Sequence, residues 1–145
     1  MAQGDNSLFD AFSQEIGDGT FDMDTDAFSL KLITTLPVVT QTTPTLSDFT
    51  EVTNGGGYTT GGIALTETWS RSGATTTFDD SVNPSWTAAA GSPTNIVAAL
   101  VVNASDNALG FVDMTTDGGS TPISLVAGDI TVTWNVLGIF TSAIT

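Results

Sequence analysis

From Phe21 onward, the apolar positions of this chain shift toward a period of two. That period confines it to β-structure, because only an extended strand sends alternate side chains to opposite faces. Phe28, Leu30 and Leu32 alternate with Ser29, Lys31 and Ile33. Ile63, Leu65 and Trp69 alternate with Ala64, Thr66 and Thr68, with Glu67 interrupting the apolar face. Near the end, Ile130, Val132, Trp134 and Val136 face one way and Thr131, Thr133 and Asn135 the other. Residues 96–102 form an unbroken apolar run between Asn95 and Asn103, the pattern of a central strand buried on both faces. The turn-like Ala104-Ser105-Asp106-Asn107 follows, then a second apolar segment at 109–114, which together predict a hairpin. Residues 75–78, 86–88 and 123–126 supply further strand candidates. With turn signals at short intervals, the pattern predicts a mainly β protein: a single antiparallel β-sandwich or jelly-roll-like domain with a short N-terminal helix.

The helix is expected at 7–16. Asn6 or Ser7 can cap it, with Asp10 three residues after Ser7, and Leu8, Phe12 and Ile16 recur at four-residue spacing with Phe9 widening the stripe. Residues 1–20 then read as an N-terminal arm and 21–145 as the β-sandwich. A long loop occupies about 37–62, Thr-rich around Pro44 and ending in Asn54-Gly55-Gly56-Gly57-Tyr58-Thr59-Thr60-Gly61-Gly62, a run expected to be flexible.

Composition narrows function more than fold. The chain has 145 residues, no histidine, no cysteine, and two basic residues against sixteen acidic ones. Without His or Cys there is no serine–histidine pair, thiolate, disulfide or usual transition-metal ligand. The formal charge of -14 repels phosphate backbones and anionic lipid, so nucleic-acid and membrane partners are not expected. No apolar run approaches the ~20 residues of a membrane helix. The opening Met1-Ala2-Gln3-Gly4-Asp5 carries no secretory signal pattern, so synthesis in the cytoplasm of the producing cell is expected.

Four constellations invite chemistry. Asp22, Asp24 and Asp26 form a D-x-D-x-D array suggestive of calcium, but in an EF-hand register position six would be Ala27 and position twelve Ile33, so a solvated acidic strand entry is the stronger reading. Glu51 and Glu67 flank the glycine run and could pair as in a glycosidase, though spacing alone shows no working separation. The glycine run lacks the lysine and following helix of a phosphate-binding loop. Trp69, Trp86, Trp134 and Tyr58 could offer a sugar-stacking platform, and equally could be core. No catalytic residue, cofactor or firm metal ligand is expected, and the chain reads as non-enzymatic.

An ordered set of segments carries a resemblance. L-F-D-A-F at 8–12 leads to F-D-M-D-T-D-A-F-S-L-K-L-I-T at 21–34, D-F-T-E-V-T-N-G-G-G-Y-T-T-G-G-I-A-L at 48–65, A-L-G-F-V-D-M at 108–114 and L-V-A-G-D-I-T-V-T-W at 125–134. In this order they resemble small β-rich virion structural proteins of tailed bacteriophages, most closely capsid decoration or cement proteins. The resemblance implies a structural protein on the outer capsid surface, bridging major capsid subunits and assembled as a homotrimer or dimer. Tail or fibre association, and a small carbohydrate-binding module, are the alternatives. Contacts to partners are expected at two apolar ends: Leu8, Phe9, Phe12 and Ile16 in the arm, and Leu137, Ile139, Phe140 and Ile144 near the C-terminus.

Overall fold

The hairpin expected in the second half is the centre of the molecule. In the computed structural model, which describes residues 2–135 and 137–143, β7 (Ala98–Asn103) and β8 (Ala108–Asp113) pair antiparallel and every residue of both is buried. β2 (Phe28–Ile33) flanks β7, β3 (Ile63–Ala64) flanks β2, and β1 (Asn6–Leu8) flanks β8, giving a five-stranded sheet in the order β1-β8-β7-β2-β3. Opposite it lie two smaller sheets. One has the order β10-β5-β4, from β4 (Glu67–Ser72), β5 (Thr75–Asp80) and β10 (Phe140–Ala143), and the other pairs β6 (Ser85–Trp86) with β9 (Ile130–Thr131). All paired strands are antiparallel, so the protein is mainly β with a sandwich-like architecture and one short helix, α1 (Phe12–Gly17).

Alternation explains why the large sheet is apolar on both sides. Leu30, Leu32, Ala99 and Val101 point between the layers, where they meet Phe78 of β5, Trp86 of β6 and Ile130 of β9. Ile33, Ala98, Leu100, Val102 and Phe111 point the other way and pack with Phe9. This back face is covered by Leu36, Val39, Leu46 and Phe49 from the Thr- and Pro-containing excursion. Main-chain bonds fasten that excursion down: Leu46 N–H donates to Asp106 O (2.8 Å), Ala108 N–H to Pro44 O (2.9 Å) and Asp10 N–H to Val39 O (2.8 Å). Each large apolar side chain buried here contributes about 1.5–3 kcal/mol. β8 serves both faces through a bulge. Val101 opposes Gly110 while Val102 opposes Ala108, so Leu109 is the extra residue and swings into the inter-layer core.

Three sequence expectations are revised. The helix spans Phe12–Gly17 instead of 7–16, because Asn6, Ser7 and Leu8 are drawn into the sheet opposite Val112, Phe111 and Gly110. The Ser7–Asp10 cap is therefore not made; the helix starts from Ala11 without a side-chain cap. Its buried positions are Phe12 and Glu15, while Ile16 faces out, so the four-residue stripe does not describe it. Residues 63–69 do not make one strand: β3 and β4 belong to different layers, parting at Leu65 and Thr66. Residues 123–126 contribute only an isolated bridge, Ile96 to Ile123.

The glycine run is likewise not slack. Tyr58 is 1% exposed, its ring 6.3 Å from Trp86. A Cβ on Gly57 would collide with the Thr87 carbonyl, and one on Gly62, which also has φ +70°, with the Leu30 carbonyl. These glycines are needed for close backbone approach, a different use from flexibility.

Candidate functional site

The two ends singled out as contact candidates meet. Phe12 of α1 and Phe140 of β10 pack edge-to-face at 4.9 Å between ring centroids, and Phe140 also contacts Phe78 (5.5 Å) and Trp69 (5.9 Å). Beside them, Asn6 Nδ2 donates to Ile139 O (2.6 Å), tying β1 to the segment entering β10. Not every candidate is available to a partner. Phe9 is buried in the back cluster against Phe111 and Phe49, and Phe12 and Ile139 are buried between the layers. Leu8 and Phe140 are half-buried, while Ile16 at 38% and Leu137 at 64% are exposed. Ile144 lies outside the described residues.

Next to this junction the layers part to leave a cleft of about 830 Å³. One wall is residues 3–6; the other is 127–135, with Val112, Met114 and Ile139 between them. Trp134 is held at the cleft by its indole N–H, donated to Asp80 Oδ2 (3.2 Å), and by its backbone N–H, donated to Asn83 Oδ1 (3.3 Å). Asp129 accepts the Ala88 N–H at 2.6 Å. The strand expected at 130–136 is regular only over Ile130–Thr131, yet its alternation of faces continues: Ile130 and Val132 are buried, and Thr131 and Thr133 are exposed. That its outer edge would border a cleft with Asn6 has no signal in local sequence, since it depends on which strands end each sheet. Val136 lies outside the described residues.

The carboxylates weighed for chemistry have structural occupations. Glu51 Oε1 accepts the Tyr58 hydroxyl (2.6 Å) and the Gly61 N–H (2.6 Å), and Tyr58 Oη in turn accepts the Leu32 N–H (3.2 Å). Burial, reinforced by the hydrogen bond to Glu51 and its charge, pushes the Tyr58 phenol well above its ordinary value. Glu67 Oε1 accepts the Phe28 N–H at 3.2 Å. Asp22 accepts the N–H groups of Asp24 and Thr25 within its own turn, and the Thr25 side chain, then the Asp24 N–H, hold its carboxyl below the usual range. Asp26 accepts from Asp22 N–H and Asn103 Nδ2. Asp22, Asp24 and Asp26 thus close a turn, and among the described residues no group of three or more acidic side chains is placed to hold a metal ion.

Tyr58 and Trp86 are buried, so a sugar-stacking face would have to come from the half-buried Trp69 and Trp134. Lys31 pairs with Asp106 at 3.1 Å, whereas Arg71, exposed on β4, forms no ion pair among the described residues. Sequence reasoning missed Glu15. It is 4% exposed, its Oε2 has no partner, and burial followed by the charge of Asp18 raises its pKa. No helix among the described residues is long and apolar enough to cross a membrane. No protein-family model, curated protein or solved structure matches the chain.

Proposed function

We propose that this chain is a non-enzymatic structural component of a tailed-bacteriophage virion, a decoration or cement protein on the outer capsid that bridges major capsid subunits. What supports the reading is the ordered sequence resemblance, together with one structural observation. Two ends far apart in sequence meet at Phe12 and Phe140, while Ile16 on the same helix and Leu137 three residues before Phe140 stay exposed. Exposed apolar side chains beside a packed junction suit a docking face, and a surface of charge -14 suits basic or neutral protein partners. In this proposal the protein is made in the host cytoplasm, assembles as a homotrimer or dimer, and stabilises the shell against the pressure of packaged DNA.

The test is the copy number in purified particles by quantitative mass spectrometry. Hundreds of copies in fixed ratio to the major capsid protein are expected. A handful would place the protein in the tail or a fibre, and absence from particles would overturn the virion reading. Ile16→Asp and Leu137→Asp together should weaken capsid binding by about tenfold or more, as removal of central apolar contacts does, with the β-fold retained by circular dichroism.

A further inference from the structure

The cleft between the layers is bounded by two strand edges with no neighbouring strand among the described residues. β1 ends its sheet, with β8 as its only neighbouring strand among the described residues. Gly4, just before the strand, donates its N–H to Asp113 O (2.7 Å), and from Asp5 onward the bonds toward β8 involve odd-numbered residues: Asp113 N–H donates to Asp5 O (3.0 Å) and Phe9 N–H to Leu109 O (3.3 Å). In an antiparallel ladder the residues between them, Asn6 and Leu8, turn their N–H and C=O groups to the outer edge. On the facing wall, Ile130 opposes Trp86, Val132 N–H donates to Pro84 O (2.9 Å), and Trp134 N–H donates to Asn83 Oδ1. The even-numbered residues therefore serve the β6 side. Thr131 and Thr133 turn to the opposite edge, where β9 has no neighbour among the described residues. Asn6, Thr131 and Thr133 all line the cleft.

Its other surfaces complete a pattern. The floor is apolar, formed by Val112, Met114, Ile130, Val132 and Ile139, all members of the inter-layer core. Asp5 and Asp129 line the cleft and no Lys or Arg does. The volume lies within the roughly 300–1,000 Å³ typical of binding sites. Exposed strand edges with main-chain donors and acceptors are templates for another strand.

We infer that this cleft receives an extended, neutral-to-basic polypeptide segment of a different protein, which pairs its main chain with the edges at Asn6 and at Thr131–Thr133. Alternate side chains of that segment rest on the apolar floor, and basic side chains meet Asp5 and Asp129. Charge complementarity selects a different protein over a second copy: this chain carries -14 and only two bases, of which Lys31 is already paired with Asp106. The inference stands apart from the virion reading, because it concerns the chemistry of the occupant and not the particle that supplies it.

The test is an NMR titration of the isotopically labelled full chain with the end-blocked peptide Lys-Val-Thr-Val-Thr-Val-Lys. Binding should shift and slow the exchange of the amides of Asn6, Thr131 and Thr133. The same peptide with alternate backbone nitrogens methylated should not bind, and replacement of both lysines by glutamate should weaken binding about fivefold or more. Asp5→Lys should narrow or reverse that preference. Absence of binding at millimolar peptide, undiminished binding of the methylated peptide, or shifts elsewhere on the protein would each overturn the inference. Concentration-dependent protection of the same amides without peptide would assign the cleft to a second copy and overturn it equally. The comparison of methylated and unmethylated peptides on the unmodified protein keeps the test intact should Asp5→Lys disturb the fold.

Discussion

The two layers of this sandwich are built to different standards. The five-stranded sheet is covered on both faces, in front by the opposing strands and behind by Leu36, Val39, Leu46 and Phe49. The opposing layer is split into three strands and two, its β4 residues are mostly exposed, and β9 ends at an open cleft. Burial on two faces concentrates stability in one layer, which lets the other leave edges and apolar side chains uncovered without endangering the fold. Local stability is thus concentrated in the covered sheet.

That contrast can be broken or sharpened by substitution, with urea unfolding as the common measurement. Phe111→Ala, in the doubly covered sheet, should cost about 3–5 kcal/mol, whereas Thr68→Ala, exposed on β4 of the open layer, should stay within about 0.5 kcal/mol; similar values would dissolve the distinction. Gly57→Ala should cost about 1–3 kcal/mol through overpacking against Thr87, where a slack loop would be neutral or stabilised. Tyr58→Phe should also cost about 1–3 kcal/mol by leaving the Leu32 N–H without its acceptor and Glu51 with only the Gly61 N–H of its two donors. Because the folded phenol holds its proton beyond the ordinary value, its contribution is full below about pH 10 and is lost as the unfolded tyrosine ionises above it. Stability of the unmodified protein should therefore fall above about pH 10, and Tyr58→Phe should flatten that fall. Glu15 has a raised pKa, so its contribution is present below its unfolded value and lost as pH rises. Glu15→Gln should accordingly gain up to about 1 kcal/mol at neutral pH and nothing below about pH 4. Smallest of all, Arg71→Ala should change stability by less than about 0.5 kcal/mol.

The covered layer was legible in the sequence and the open one less so. β2, β7 and β8 announce themselves through alternation or an unbroken apolar run, since burial of their side chains dictates residue type directly. The N-terminal helix was misplaced because the capping pattern at Ser7 and Asp10 is local, while pairing of Asn6, Ser7 and Leu8 with β8 is not. Tertiary pairing overrides such propensities. The glycine run was misread for a related reason: close approach to Thr87 and Leu30 is invisible until those distant segments are placed. Of the contact candidates, four-residue spacing could not reveal that Glu15 and not Ile16 turns inward. The cleft depends on which strands end each sheet, which no local pattern encodes.

The scarcity of bases has a practical consequence. Lys31 sits mid-strand in β2, its side chain 12% exposed and engaged with Asp106, whereas Arg71 stands near the tip of the β4–β5 hairpin, before Gly73. Trypsin acting on the folded protein thus has one accessible bond, after Arg71. The molecule carries its own footprinting probe: a single nick yielding two fragments reports a free hairpin, and resistance after assembly reports that a neighbour has covered it.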